Sequence, residues 1–185
     1  TFAARVKGAI YPRTIELNCE YASSAEPVEF KDRLALAYAP IRKGEIWGRD
    51  WSSAWFHVTG TVPEEFQGAE LALLMNIGGE ALIFDAEGTP VYGLTGGTVY
   101  SSDYYKNNYP LKKIKPGTKL DFWIEGAANS LFGLLHEETR EISFDHPRKS
   151  FTGTLINCDL AVFDREVWNL YLDLEVLISC LLYTS

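Results

Sequence analysis

The sequence predicts a mainly β protein, an antiparallel β-sandwich of the jelly-roll type followed by one C-terminal helix. Two observations carry this prediction. Between Trp55 and Glu125, short strand-like runs are separated at short intervals by glycine and proline turn signals, which is typical of sandwiches and jelly rolls. From Asp159 onward, the apolar residues change to the spacing of one helix face.

The N-terminal quarter gives weak strand signals. Arg5 to Ile10 is weakly strand-like or a loose lead-in, and Thr14 to Leu17 alternates as a short strand. Ala35 to Ile46 contains a proline and a glycine, so we expect it to be extended or turning and not helical.

Residues 47–60 hold three of the five tryptophans and close as a strand. Side chains alternate along a strand, so Phe56 and Val58 should point to one face and Trp55 to the other. We expect Trp51 and Trp55 to be large anchors of a hydrophobic core. The alternative is that these aromatic rings form a platform for a sugar ring.

The next strands are marked by their turns. Leu71 to Met75 is a strand-like run. Ala81 to Phe84 and Pro90 to Leu94 are joined by an Asp- and Gly-containing connection, which predicts a hairpin. Lys119 to Glu125 alternates strictly between apolar and charged residues, except that Trp123 falls among the charged positions.

The C-terminal segment predicts a helix, capped by Asn157 or Asp159. Its apolar residues are spaced by four, three, four and three positions, and a helix this apolar expects partners on more than one side. The stripe consists of Phe163, Val167, Leu170, Leu174 and Leu177. Alone, the chain is therefore expected to self-associate or to be poorly soluble, and ending it near Gly153 is expected to improve its behaviour.

These patterns divide the chain into three parts. We expect a sandwich domain at residues 1–153 and a linker helix at residues 154–179. The last six residues, 180–185, correspond to one reading frame of a common transposon sequencing adapter, so we expect them to be a foreign tail on a gene fragment. The alternative is a genuine apolar end of the helix.

Composition and charge exclude several partners. The net charge of −8 argues against nucleic acid and anionic membranes. The apolar run from Val167 to Tyr183 is interrupted by polar residues, so no membrane span is predicted. Cys19, Cys158 and Cys180 are an odd number without close spacing, which indicates no disulfide framework and is compatible with the cytoplasm.

No catalytic or metal-ligating set can be assembled from the sequence. His136 to Arg140 is a near miss to the HExxH zinc motif, because arginine replaces the second histidine. His57 and His146 have no neighbours at ligand spacing, and His57 is expected to pack or to face solvent. Glu80 and Asp85 are an odd number of residues apart, which places them on opposite faces of a strand.

A series of residues in a fixed order carries a family resemblance over roughly residues 35–178. The series is Trp47-Gly48, Trp51, Trp55-Phe56, Val62-Pro63, Gly68, Gly79-Glu80-Ala81, Asp85, Gly88, Pro90, Gly93-Leu94, Leu160 to Val167 and Asp173-Leu174-Glu175. In these residues the chain resembles the N-terminal region of glycoside hydrolase family 38 α-mannosidases of the cytosolic and vacuolar type.

The resemblance implies a galactose-binding-like β-sandwich and a helical segment that precede a catalytic domain. In that family the catalytic domain holds a divalent metal, usually zinc, and an aspartate nucleophile, and it retains the anomeric configuration. The family's His-x-Asp metal signature does not occur in this chain. We therefore expect a non-catalytic fragment whose partners are the downstream catalytic domain, a carbohydrate reached through the parent enzyme and, as a further possibility, a second copy.

Two alternatives stay open. One is a free carbohydrate-binding module in which Tyr100, Tyr104 and Tyr105 stack on sugar. The other is the sugar-binding domain of another glycosidase, such as a β-galactosidase or a β-glucuronidase. The helical run from Leu160 favours the α-mannosidase interpretation over the latter.

Overall fold

The computed structural model describes residues 1–96, 105–129 and 151–184, and within these ranges twelve strands form two packed sheets and a short ribbon. The strands are β1 (Thr14–Glu16), β2 (Asn18–Ser24), β3 (Ala39–Pro40), β4 (Ile46–Arg49), β5 (Ser53–Thr61), β6 (Leu71–Asn76), β7 (Glu80–Phe84), β8 (Pro90–Thr95), β9 (Asn108–Leu111), β10 (Lys119–Ala127), β11 (Thr152–Thr154) and β12 (Asn157–Val162). The helices are α1 (Phe2–Gly8) and α2 (Arg165–Thr184), and 3₁₀ turns lie at Phe30–Ala35 and Glu64–Phe66.

All strand pairs in the described ranges are antiparallel, as the sequence predicts. The small sheet has the order β1-β12-β6-β9, and the large sheet has the order β3-β2-β5-β10-β7-β8. A ribbon of β4 and β11 lies beside them. The order is far from sequential, with β12 between β1 and β6, so the fold is a jelly roll rather than a chain of hairpins.

The main core lies between the two sheets. Phe56 and Val58 of β5 and Ile124 of β10 are fully buried there, and they face Leu73 and Met75 of β6. The predicted alternation of Phe56 and Val58 on one face of a strand is therefore confirmed. The alternation predicted for residues 119–125 is confirmed too, because the apolar residues of β10 pack against this core while its charged residues do not.

Trp47 holds the ribbon against the core. Its indole Nε1 donates a hydrogen bond of 2.6 Å to the carbonyl oxygen of Ile77. Gly153 of β11 lies flat on its ring, since a Cβ added there would lie 2.5 Å from the indole. This close approach requires glycine at position 153.

The predicted hairpin is confirmed in β7 and β8. Asp85 closes its turn, because one carboxylate oxygen accepts from the backbone amides of Glu87 at 3.0 Å and Thr89 at 2.8 Å. Gly88 supplies the positive φ of 87° that the turn needs. Asp85 thus has a structural role.

Helix α1 replaces the weak strand expected from Arg5 to Ile10, so that prediction is wrong. The Thr1 hydroxyl caps the helix by accepting from the amide of Ala4 at 3.3 Å. The short segment is covered by α2, and this tertiary contact outweighs the local pattern.

The predicted start of the C-terminal helix is also wrong. Asn157–Val162 form β12, and the helix begins at Arg165 with the Asp164 carboxylate accepting from the amide of Val167 at 3.0 Å. β12 is a central strand that is buried on both faces from Cys158 onward, and Leu160 to Phe163, at its end, is a short apolar run that periodicity cannot distinguish from part of a buried helix. Hence neither Asn157 nor Asp159 is the cap, and the sandwich extends beyond Gly153.

Helix α2 covers the outer face of the small sheet. Ala72, Leu74 and Phe163 form a second buried cluster there, against which Trp168 and Tyr171 pack. The predicted stripe is confirmed in part, because Phe163 and Val167 belong to this cluster, whereas Leu170 and Leu177 are 46% and 59% exposed. Of the two helices in the described ranges, neither is long and apolar enough to cross a membrane.

Candidate functional site

The candidate site lies on the outer face of the large sheet. Residues that alternate with the core positions point outward there, among them Trp55 of β5, Trp123 and Glu125 of β10, and Glu80 of β7. This face is divided into two parts. One is covered by residues 28–38, and the other is an open cleft.

We call the covered part the aromatic layer, which consists of Phe30, Tyr38, Trp55, Phe84 and Trp123. Trp55 is only 2% exposed, and its indole donates a hydrogen bond of 2.8 Å to the carbonyl of Val28. Phe30 meets Trp55 edge to face at 5.8 Å and stacks on Phe84 at 5.6 Å, measured between ring centroids. The layer thus fixes the irregular segment 28–38 on the sheet.

Arg33 lies between two rings of this layer. Its guanidinium carbon is 3.6 Å from the Phe30 centroid and 4.4 Å from the Trp123 centroid. One guanidinium nitrogen donates to the carbonyl of Phe30 at 2.7 Å, whereas the buried Nε has no hydrogen-bond partner among the described residues. Cation–π contact therefore carries much of the interaction.

His57 stacks on Trp123 with ring centroids 4.1 Å apart and planes 6° apart. Its Nε2 lies 3.0 Å from the Asp121 carboxylate. The Tyr38 hydroxyl donates to the carbonyl of Arg33 at 3.0 Å, and burial raises the pKa of Tyr38 to about 12. His57 thus packs on its strand, as one of the two predicted alternatives has it.

The open part is a cleft of about 520 Å³ beside the aromatic layer. Its polar groups are the Glu80 and Glu125 carboxylates and the Ser53 and Thr95 hydroxyls. Gly93 forms a flat part of the floor of the cleft, because it has no side chain and a Cβ added there would meet no atom within 4 Å. Carboxylates and hydroxyls over a flat floor suit a ligand with several hydroxyl groups, since both can accept hydrogen bonds.

The two carboxylates of the cleft differ. Glu80 accepts a hydrogen bond of 2.7 Å from the Thr95 hydroxyl. For Glu125, burial raises the pKa of the carboxyl above its ordinary value, and within the described ranges no hydrogen bond or ion pair holds its side chain. Glu125 is therefore the carboxylate with acceptor capacity to spare.

Trp51 is an exposed aromatic residue, which makes the predicted core anchor wrong. It is 59% exposed and follows Asp50 in a turn where both residues have positive φ, 38° and 70°. The amide of Trp51 donates to the carbonyl of Ala128 at 2.8 Å, which holds the turn and directs the ring away from the core. Bulky residues rarely occupy this backbone region, and each costs about 1–3 kcal/mol.

Several predicted candidates lie elsewhere. Tyr100, Tyr104, His146 and the segment His136 to Arg140 lie outside the described residues. Tyr105 is exposed, but the Lys7 ammonium of α1 lies 5.6 Å from its ring, on the side of the helices. In the described part of the chain, no three His, Cys, Asp or Glu side chains gather where they could hold a metal ion.

Sequence reasoning missed the aromatic layer and the cleft. One signal was present: Trp123 breaks the alternation of β10, and an outward tryptophan requires a covering segment. The sequence does not show that Phe30 and Arg33 cover these tryptophans, because Phe30 contacts Trp55 and Arg33 contacts Trp123 across more than twenty residues of chain.

Comparison with known proteins found one matching family model and several relatives. The model of the Ams1-like family, described as α-mannosidase, jelly roll domain, matches residues 11–161. Alpha-mannosidase G of Dictyostelium discoideum is 28% identical over 178 residues, and human Alpha-mannosidase 2C1 is 31% identical over 157 residues. The alignments cover 93% and 83% of this chain but only 16% and 14% of those proteins.

A solved structure confirms the fold alone. The β-glucuronidase of an uncultured Clostridium sp. superposes with a TM-score of 0.50 and 13% sequence identity, covering 83% of this chain and 29% of the other. At this identity the likeness concerns the jelly-roll architecture and not the chemistry.

Proposed function

The chain belongs to the family of α-mannosidase jelly roll domains, and we propose that it is the non-catalytic N-terminal domain of an α-mannosidase that hydrolyses terminal α-mannosyl residues. Its similarity to Alpha-mannosidase G and Alpha-mannosidase 2C1 supports this proposal. The chain spans about one sixth of the length of these relatives, so the proposal places the chemistry in the remaining part.

The outward side of α2 carries the proposal. We name the exposed side chains Leu170, Leu172, Val176, Leu177 and Ile178 the α2 patch. The helix packs on the small sheet through Trp168 and Tyr171, and the side chains of the α2 patch are left exposed by this domain. Exposed large apolar side chains in this number on one helix mark an interaction site, and we propose that the catalytic domain covers them.

We further propose that zinc or another divalent metal, and the retaining chemistry of glycoside hydrolase family 38, belong to that catalytic domain. The described residues do not fit a metal site, because they bring no sufficient set of ligands together. This chain would position the catalytic domain through the α2 patch. We propose a cytoplasmic location, which agrees with cysteines that form no disulfide in the described part of the chain.

A chimera tests this proposal. This chain replaces the matching region of Alpha-mannosidase G, and hydrolysis of an aryl α-mannoside is measured. Val176→Lys places a charge in the α2 patch, and Val91→Lys places the same charge on the exposed edge strand β8. We expect the Val91→Lys chimera to match the unsubstituted chimera and the Val176→Lys chimera to lose at least about tenfold in activity, because the charge is desolvated by docking.

Equal activity of the two lysine chimeras would contradict the docking role.

The isolated chain should not hydrolyse aryl α-mannosides with or without added zinc or cobalt, and metal-dependent turnover by it would contradict the non-catalytic role. Size-exclusion chromatography of the isolated chain tests whether a second copy of the chain covers the α2 patch instead.

A second candidate function is carbohydrate binding by this domain itself. The cleft with Glu125 and the exposed Trp51 favour it, because carboxylate acceptors and aromatic rings are the groups that recognise sugars. Calorimetric titration with an α-linked mannose disaccharide tests it. Binding that is lost in Glu125→Gln, or in Trp51→Ala, supports this candidate and identifies the site; no binding by the parent chain contradicts it.

A further inference from the structure

The chain crosses from one sheet to the other through a single residue. β1 of the small sheet ends at Glu16, β2 of the large sheet begins at Asn18, and Leu17 connects them. The amide of Leu17 donates to the carbonyl of Cys158 at 3.0 Å. This crossing therefore brings the start of β2 and the start of β12 together at one edge of the sandwich.

Two cysteines meet at this crossing. Cys19 of β2 and Cys158 of β12 are both buried and both belong to the core between the sheets. Cys19 lies two residues after Leu17, whose amide binds the carbonyl of Cys158, so both side chains enter the core at the same edge. The neighbouring Cys19 thiol, together with burial, raises the pKa of Cys158. The two residues lie 139 positions apart in the chain, which is why sequence spacing gave no sign of the pair.

We propose that Cys19 and Cys158 form an oxidisable dithiol, a modification site that converts to a disulfide linking the two sheets. The oxidant is a small disulfide such as oxidised glutathione. The Cys19 thiolate attacks one of its sulfurs and releases one glutathione thiolate. The Cys158 thiolate then attacks the sulfur of Cys19 and releases the second glutathione thiolate. One oxidised glutathione thus takes up two electrons and two protons from the two protein thiols and leaves as two molecules of reduced glutathione.

The buried position determines how this site behaves. Attack on the oxidant requires a thiolate that the oxidant can reach. Burial disfavours the thiolate and blocks the oxidant, so we expect slow oxidation in the native state and faster oxidation when the edge of the sandwich opens. In the reducing cytoplasm the pair stays reduced. Once formed, the bond ties β2 to β12, the strand that leads into α2.

The test uses the full chain with Cys180→Ser, because the exposed Cys180 would otherwise form disulfides between molecules. The protein is equilibrated in glutathione buffers of increasing oxidised fraction, with and without urea below the unfolding transition. Mass spectrometry detects the loss of two hydrogens and the linked peptides. We expect a single intramolecular disulfide that forms faster in urea and raises the melting temperature by roughly 10 °C, because it closes a long loop.

The matched controls are Cys19→Ser and Cys158→Ser, each combined with Cys180→Ser. Neither should gain stability in oxidising buffer, whatever its starting stability. Failure of the parent to form the bond at high oxidised glutathione, attachment of glutathione without the cross-link, or a disulfide that lowers the melting temperature would each overturn the proposal.

Discussion

The outer faces of the two sheets are covered by different kinds of segment and contact. The large sheet is covered by the aromatic layer, in which Arg33 lies between rings and Trp55 is hydrogen-bonded to the covering segment. The small sheet is covered by α2, and by Ile10 and Tyr11 just after α1, through apolar contacts to Leu74 and Phe163. The first cover is completed within the chain, whereas the second presents the α2 patch on its far side.

This difference separates two kinds of surface. A cover fastened by directional contacts leaves the rest of its sheet free for a polar cleft, and such a cleft suits a small hydroxylated ligand. A helix that is apolar on both sides suits a second protein surface. The docking function and the sugar-binding function proposed above therefore belong to opposite faces of the domain.

Two truncations should give the largest effect. A chain that ends at Gly153 loses β12, including the fully buried Leu160, so we expect it not to fold, because the loss exceeds a typical stability of about 5–15 kcal/mol. A chain that ends at Asp164 keeps β12 and should fold with lowered stability, since it uncovers Leu74 and Phe163. Circular dichroism with urea denaturation measures both. A well-folded chain ending at Gly153 would show that β12 is dispensable and would restore the shorter domain boundary.

The tryptophans of residues 47–60 should give the next largest effect. Trp55→Ala should destabilise the domain by about 3–5 kcal/mol, because it removes a buried ring and its bond to Val28. Trp51→Ala should change the stability by less than about 0.5 kcal/mol, because the ring is exposed. Thermal melts decide this, and equal losses in the two variants would contradict the contrast between them.

Arg33→Ala should have an intermediate effect. We expect a loss of about 1–3 kcal/mol, because the variant removes two cation–π contacts and a hydrogen bond to the carbonyl of Phe30. The control is Arg5→Ala on the exposed surface of α1, which should be nearly neutral. A neutral Arg33→Ala would mean that the aromatic rings alone hold the covering segment, and urea denaturation of both variants measures this.

The strands of the sandwich were predictable from sequence because their signals are local. Alternation places Leu120 and Ile124 in the core, and the Asp85 turn defines the β7–β8 hairpin without help from the rest of the chain. The start of α2 was not predictable, because Leu160 to Phe163 at the end of β12 is apolar at every position and runs directly into the helix, so alternation does not mark the boundary.

The tryptophans and the site show the same limit. Trp47, Trp51 and Trp55 follow one another at intervals of four residues, yet a turn with positive φ exposes only Trp51. The cleft draws Ser53, Glu80 and Glu125 from three strands of the large sheet, so its composition follows from strand order. Strand order in a jelly roll depends on long-range pairing, which single-sequence patterns do not contain.

The smallest expected effect concerns Glu125 and has a defined dependence on pH. Burial raises the pKa of its carboxyl in the folded state. The folded protein therefore binds the proton more tightly than the unfolded chain does, and stability is lost as pH rises from the unfolded pKa through the folded pKa. Glutamine does not titrate, so the stability of Glu125→Gln relative to the parent chain should be higher at pH 7 than at pH 4. We expect this difference to be less than about 1 kcal/mol, because the side chain is partly solvated.

The matched control is Glu64→Gln, which makes the same substitution at an exposed carboxylate in a 3₁₀ turn. The free energy of unfolding from urea titrations at pH 4 and pH 7 measures both variants. A loss of stability in Glu125→Gln at pH 7 would mean that the carboxylate stabilises the fold. A gain, combined with weaker binding of an α-mannoside, would mean that the domain keeps a destabilising carboxylate in the cleft because a ligand requires it.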